Sequence, residues 1–141
     1  MNAMNRHSAA TVDATVRTYY ATVCDPASTA DDLRRLLAAD LTVIEHPNVL
    51  SPRGAVRDLA QTLAGFDAGR ALLSEQDFDV HEVIATADRA AVRATWSGTL
   101  KADAGPLHAG RRLVAHVASL LTVRDGLIAH QETFDCYEPI T

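Results

Sequence analysis

The stretch from Arg111 to Phe134 constrains the fold of this chain more than any other. Residues 111–123 are mostly apolar and include neither proline nor glycine; Asp125 and Gly126 follow as turn residues, and 127–134 run back. An Asp-Gly pair between two such runs is a strong signal for a β-hairpin. A strand of this length needs a sheet beside it and a cover on one face. We therefore expect the upstream residues to supply both.

The upstream sequence changes from a helical to a strand-like period after Gly69. Apolar residues at helical spacing predict three helices, over 10–23, from Ser28 or Thr29 to Asp40, and from Ser51 to about Phe66. The predicted strands are 41–46, which Pro47 ends, then 77–86 and 90–100. Helices segregated from a run of strands define an α+β domain. A curved sheet with helices across its concave face encloses a cone-shaped cavity, which is a default ligand site.

Composition limits the class of protein. The 141 residues suit one domain, with 1–10 expected to fray. The net charge of -5 and the lack of any basic cluster larger than a pair argue against nucleic-acid binding. Cys24 and Cys136 are expected to be free thiols in a reducing compartment. No run has the length of a signal-peptide core or a membrane span, so we expect a cytoplasmic protein that does not bind membranes.

Several short motifs occur in an order that belongs to a known family. They are 16–20, 37–43, Glu45-His46-Pro47, 105–111, 123–128 and Glu132-Thr133-Phe134-Asp135. In this order the chain resembles the SnoaL-like polyketide cyclase and ketosteroid isomerase-like branch of the nuclear transport factor 2-like superfamily. The resemblance implies a single domain over 11–141. It also implies a cone-shaped α+β fold with three N-terminal helices packed on the concave face of a curved, mostly antiparallel sheet.

The resemblance also implies roles for individual residues. Tyr19 occupies the position of a tyrosine that serves ketosteroid isomerases as an oxyanion donor. The carboxylate base before a proline is replaced here by His46, with Glu45 beside it. Ser119 stands where those isomerases carry a protonated acid, which argues against steroid isomerisation itself. Asp135 matches an acidic residue near the end of the last strand of SnoaL-like cyclases.

The face of the last strand that lines the cavity depends on the hairpin turn. A two-residue Asp-Gly turn groups Ser119 with Glu132, whereas a three-residue turn with a glycine bulge groups it with Gln131 and Thr133. The family-like end of the strand favours the second arrangement, with Asp135 on the same face. His116, Ala118, Leu120, His130 and Phe134 would then share the convex face.

We therefore predict one apolar cavity with an acid–base pair at its rim. His46 and Asp135 are the predicted catalytic residues, because an imidazole and a half-desolvated carboxyl both titrate in a useful range. Glu45 alternates with His46, so only one of the two can face the cavity, and we choose His46. The predicted substrate-binding residues are Tyr19, Leu63, Trp96, Val117, Ser119 and Gln131. The competing interpretations are a solvent-exposed His46 at a loop edge and a Trp96 that only fills the core.

Two functions fit this cavity. The first is a small cofactor-free enzyme that performs acid–base chemistry, as an isomerase, cyclase, hydrolase or dehydratase, on a polyketide-, terpene- or steroid-like molecule. The second is a non-catalytic module that binds a small molecule or dimerises. No phosphate loop or zinc motif occurs, so we expect neither a cofactor nor a metal. Apolar residues on the convex face, including Val114 and Leu120, predict a homodimer.

Overall fold

A computed structural model describes residues 8–140 and places three helices and six strands in that part of the chain. The helices are α1 (Ala9–Cys24), α2 (Ala30–Arg34) and α3 (Leu59–Leu72). The strands are β1 (Leu37–Glu45), β2 (Ala55–Arg57), β3 (Leu73–Ala85), β4 (Arg89–Leu100), β5 (Arg112–Arg124) and β6 (Leu127–Tyr137). Residues 1–7 of the segment predicted to fray lie outside the described residues. Ser8 caps α1 by accepting a hydrogen bond from the Thr11 amide.

The six strands form one sheet in the order β2-β1-β6-β5-β4-β3. The pair β1–β6 is parallel, and the other neighbouring pairs are antiparallel. The sheet is therefore mixed, and the predicted α+β class is confirmed. Because β1 inserts beside β6, the first and last strands of the fold are neighbours.

The β5–β6 hairpin has the predicted grouping of side chains, but a different device produces it. Asp125 and Gly126 both have positive φ, 54° and 76°, and form a two-residue turn between paired Arg124 and Leu127. The register then shifts, because Val123 pairs with Ile128 whereas Thr122 pairs with His130. This leaves Ala129 as an extra residue, a β-bulge in β6. As a result Ser119 pairs with Thr133, and Gln131, Thr133 and Asp135 share its face.

The second helix is shorter than predicted, and the third lies further along the chain. A reciprocal capping box between Thr29 and Asp32 starts α2, but the helix ends at Arg34. Leu37 belongs instead to β1, where it is buried and pairs with Ile128. Long-range pairing therefore overrides the helical spacing of the leucines.

The third helix was predicted to start and to end too early, because it ends at Leu72 and not near Phe66. A capping box between Asp58 and Gln61 fixes the start of the helix. Before it, Gly54 adopts a φ of 65°, and a Cβ there would lie 2.4 Å from the Glu45 carbonyl oxygen. The chain can pass β1 this closely only as glycine, and the short strand β2 then pairs with β1.

The core occupies one face of the sheet near the hairpin turn. Val12 and Val16 of α1 and Leu33 of α2 pack there with Leu121 and Ile128 of the hairpin, all almost fully buried. Burying each such side chain stabilises the fold by about 1.5–3 kcal/mol. The same face is less densely filled toward the opposite end of β5 and β6, and the cavity lies there.

Candidate active site

A cavity of about 330 Å³ lies between the helices and the sheet. Its size falls at the lower end of the range for small-molecule sites. Five aromatic residues line the wall: Tyr19, Tyr20, Phe78, Trp96 and Tyr137. The remaining lining residues are Val43, Arg57, Thr62, Gly65, Ala115, Val117, Ser119, Gln131, Thr133 and Asp135. Strand alternation explains this set, since Val117 pairs with Asp135 and Ala115 with Tyr137 across the hairpin.

A chain of hydrogen bonds runs along the cavity wall and ends at Asp135. The Tyr19 hydroxyl donates to Gln131 Oε1 at 3.1 Å, and Gln131 Nε2 lies 3.5 Å from both Ser119 Oγ and the Tyr20 hydroxyl. Ser119 Oγ donates to Thr133 Oγ1 at 3.0 Å, and Thr133 Oγ1 donates to Asp135 Oδ1 at 2.7 Å. Ser119 and Gln131 are buried, so these bonds satisfy polar groups that water does not reach. The chain fixes the orientation of the Asp135 carboxyl.

Asp135 is the carboxyl whose environment is most suited to proton transfer. Burial raises the pKa of Asp135 above its ordinary value. The hydroxyl of Thr133 and the charge of Arg57 lower this pKa, whereas the charge of Glu45 raises it, and the net direction is upward. The carboxyl thus holds its proton to a higher pH than a solvated aspartate does.

The cavity tyrosines are neutral phenols. Burial raises the pKa of Tyr20 to about 12 and raises the pKa values of Tyr19 and Tyr137 as well. The donor of Tyr19 is used on Gln131. The Tyr137 hydroxyl has no hydrogen-bond partner among residues 8–140, although its ring lines the cavity. Its O–H is therefore available to a bound molecule.

Arg57 enters the cavity wall from β2, held by a carboxylate on β1. Arg57 Nη1 donates to Glu45 Oε1 at 2.9 Å. The other oxygen, Glu45 Oε2, accepts from Asn48 Nδ2 at 2.8 Å. Both oxygens of Glu45 are thus occupied, which leaves Asp135 as the carboxyl available for chemistry.

The cavity contains six of the eight residues predicted for the site: Tyr19, Trp96, Val117, Ser119, Gln131 and Asp135. The expectation that His46 borders it is wrong in its geometry. Because Val43 faces the cavity, Glu45 shares that face and His46 lies on the opposite one. There its Nε2 lies 2.6 Å from Glu132 Oε2, and its ring stacks on Phe134 with centroids 4.3 Å apart. The predicted pairing of His46 with Asp135 is not formed.

Leu63 is also outside the cavity wall. It is buried in the hydrophobic core beside Phe66, and α3 presents Thr62 and Gly65 to the cavity instead. The predicted wall position was shifted by one residue along the helix, which turns the side chain by about 100°.

Three of the lining residues that were not predicted for the site bear on its chemistry: Arg57, Thr133 and Tyr137. Tyr137 continues the alternation of Gln131, Thr133 and Asp135, so its position on the cavity face was open to prediction. Thr133 had been placed on that face but not recognised as the partner of Asp135. Arg57 was hidden by the helix predicted across it, although the Asp58–Gln61 capping pattern indicated a later helix start.

Two further observations concern residues 8–140 as a whole. No group of three His, Cys, Asp or Glu side chains in this region is arranged to hold a metal ion. No helix of the described region has the length and apolarity needed to span a bilayer.

A family model described as a SnoaL-like domain matches residues 16–131. Among solved structures, IdmH from Streptomyces antibioticus, a proposed polyketide cyclase, has a TM-score of 0.72 and 23% identity, over 87% of this chain and 90% of its own. A proposed polyketide cyclase from Xanthomonas campestris pv. campestris has a TM-score of 0.75 at 17% identity, over 92% of each chain. A protein with a ketosteroid isomerase-like fold from Catenulispora acidiphila, in complex with trimethylamine, has a TM-score of 0.68 and 19% identity, over 85% of this chain and 83% of its own. These structures share the fold. No curated protein matches the sequence.

Proposed function

Because the chain belongs to the SnoaL-like family, we propose that it is a small acid–base enzyme that acts on a hydrophobic small molecule and uses no cofactor. The observation that carries this proposal is the half-buried Asp135 carboxyl, fixed by Thr133 within an aromatic cavity. The names of two similar structures support a polyketide-like substrate. Terpene- and steroid-like molecules are the other classes proposed from the sequence.

Asp135 is the proposed general base and general acid. As a carboxylate it removes a proton from the carbon next to a substrate carbonyl, and as the acid it returns that proton to the product. Such proton transfer produces either isomerisation or attack of the carbanion on a second carbonyl, which closes a ring. A raised pKa favours this role, because it brings the acid and the base form closer in energy near neutral pH.

The enolate oxygen formed in this step needs a hydrogen-bond donor. Tyr137 is the proposed donor, since its phenol stays protonated in the cavity and its O–H has no partner among the described residues. Tyr19 is assigned to a supporting role, because its O–H already holds Gln131. Trp96 and Val117 provide the apolar surface for the body of the substrate.

The test is turnover of a panel of enones, lactones, epoxides and poly-β-keto thioesters. Asp135→Asn is expected to lower the rate by about 10²–10⁴-fold, the usual contribution of a general acid–base. His46→Ala is the matched control, because it alters a titratable residue on the opposite face and should leave the rate unchanged. Full activity in Asp135→Asn, with the variant folded, would contradict the proposal.

A non-catalytic binding module is the second candidate function. Ser119 favours it, because it replaces the acidic donor of the isomerases and its hydroxyl is used on Thr133. Saturable binding of panel members in the cavity, without conversion of any of them, would support this alternative.

We also propose that the protein forms a homodimer through the sheet face opposite the cavity. A row of side chains crosses this face through successive strand pairs: Val56, Ile44, Glu132, Leu120, Ala91 and Ile84. Val56 is 68% exposed and Leu120 42% exposed, which is a large apolar surface to leave in water. A second copy of the same face would cover it through a two-fold contact.

A further inference from the structure

The polar groups of the cavity differ in how many of their hydrogen-bond donors and acceptors are already bonded. Tyr19, Gln131, Ser119 and Thr133 bond to one another and have little capacity left for a ligand. Arg57 is different, because a guanidinium has five N–H donors and only one bonds within the described residues, to Glu45. It is also the only positively charged residue among those described as lining the cavity.

The Arg57 guanidinium is held in place by successive contacts. Glu45, whose side chain is only 17% exposed, fixes it from β1, while the Arg57 side chain itself remains 35% exposed. Asn48 holds Glu45, and Asn48 Oδ1 accepts hydrogen bonds from the amides of Leu50 and Ser51. This support fixes the guanidinium before any ligand binds. A recognition group gains affinity and selectivity from it, because its geometry is set before the ligand arrives.

We infer that the cavity selects apolar ligands that carry a carboxylate, and that Arg57 is the residue that recognises this group. The inference rests on the proposed function in one respect, since it assigns the substrate class of the same cavity. Arginine suits the role because its planar fork binds both oxygens of a carboxylate. The aromatic wall accepts the apolar body of the ligand, and the available O–H of Tyr137 is a second donor.

The unpaired donors of the cavity, more than its charge, favour an anionic ligand. Glu45 balances the single positive charge of Arg57 but leaves most of the N–H donors of the guanidinium without a partner among the described residues. Burial raises the pKa of Asp135, so this carboxyl opposes an anionic ligand less than a solvated aspartate would. An ammonium ligand at the same position would lie beside the guanidinium and be repelled by it.

The test compares three probes with the same bicyclic body: 2-naphthoate, 2-naphthamide and 2-naphthylmethylamine. Binding to the wild-type protein is measured by calorimetry and by the fluorescence of Trp96, the only tryptophan. We expect naphthoate to bind at least about tenfold more tightly than naphthamide, as for one charge-assisted hydrogen bond. The amine should bind most weakly.

Substitutions test whether Arg57 causes the preference for naphthoate over naphthamide. Arg57→Gln should bind naphthoate no better than naphthamide, while its affinity for naphthamide stays at the wild-type level. Arg57→Lys keeps the charge without the fork and should retain part of the preference. Arg53→Gln is the matched control, because this exposed arginine of the loop before β2 lies outside the cavity wall and its loss should change nothing.

Equal binding of naphthoate and naphthamide, tighter binding of the amine, or no binding of any probe would overturn the inference. An Arg57→Gln variant that weakens both probes equally would also overturn it, because Arg57 would then be only structural. Failure of the proposed function is distinguishable: turnover that survives Asp135→Asn refutes the catalytic role, even if the preference for naphthoate stands.

Discussion

Replacing Asp135 with asparagine should stabilise the folded protein at neutral pH while removing its proposed catalytic group. Burial is the main cause that raises the pKa of this carboxyl, and Glu45 adds to it; Thr133 and Arg57 oppose the effect without reversing it. The fold therefore favours the neutral form of Asp135. Asparagine is neutral at every pH, has nearly the same shape, and can still accept the hydrogen bond from Thr133.

The size of the effect follows from the protons bound by each state. In the unfolded chain Asp135 titrates near its ordinary pKa of 3.8. Between that pH and the raised pKa of the folded protein, the folded state holds one proton more than the unfolded state. The free energy of unfolding of the wild type then falls by about 1.4 kcal/mol per pH unit, and it stops falling above the folded pKa. The stability from this group is thus present below pH 3.8 and lost as the pH rises through the folded pKa.

The assay is urea unfolding followed by Trp96 fluorescence, from about pH 3 to about pH 8 at one protein concentration. Subtracting the free energy of unfolding of the wild type from that of Asp135→Asn cancels the contributions of the groups that the two proteins share. This difference in the free energy of unfolding should be constant at the lowest pH values, rise in favour of asparagine as the pH increases, and then level off. Asp67→Asn, on the exposed side of α3, is the charge-matched control and should follow the wild type. A difference in the free energy of unfolding that does not change with pH would refute the reasoning. A difference that shifts in favour of the wild type as the pH rises would refute it as well.

Two further predictions concern the wall of the cavity and the opposite face. In Gly98→Ala the new Cβ would lie 2.6 Å from a Trp96 ring carbon, so the indole must move; we expect a loss of about 1–3 kcal/mol and a shift of Trp96 emission. Gly69→Ala, where nothing lies within 4 Å, is the control, and unchanged emission in Gly98→Ala would contradict the prediction. Leu120→Lys should convert a dimer into monomers in sedimentation velocity, whereas Leu72→Lys should not. A wild type that is monomeric at micromolar concentration would make the dimer prediction wrong.

Local sequence signals were sufficient to locate the hairpin, but not to give its turn type or its register. Asp125 and Gly126 mark the turn, and the alternation of Gln131, Thr133 and Asp135 places them on one face once the register is known. The motifs that carry the family resemblance lie in these same segments, and the resemblance is confirmed by the domain match. The position of the hairpin depends on residues close together in the chain, so sequence patterns reveal it. The cavity face of β6 was instead inferred from the family-like end of the strand, and the three-residue turn expected with it is wrong.

Features that depend on distant pairing could not be predicted in this way. The face taken by His46 is set by the parallel pairing of β1 with β6, and its partner Glu132 lies 86 positions later. The hydrogen bond from Tyr19 to Gln131 spans 112 positions. Arg57 reaches the cavity through a three-residue strand that exists only because β1 is its partner. A pattern of apolar spacing carries no information about such registers.

The bulge at Ala129 makes a competing register available while the last hairpin folds. With the same Asp125-Gly126 turn, a regular ladder would pair Leu121 with His130 and exchange the two faces of the strand beyond this point. Glu132 would then enter the interior, where a carboxylate without a partner is costly. Side-chain burial, and not the turn, must therefore reject this misfolded hairpin. Removing Ala129 would let the regular ladder keep the native pairs, so a chain one residue shorter would fold without having to avoid that trap.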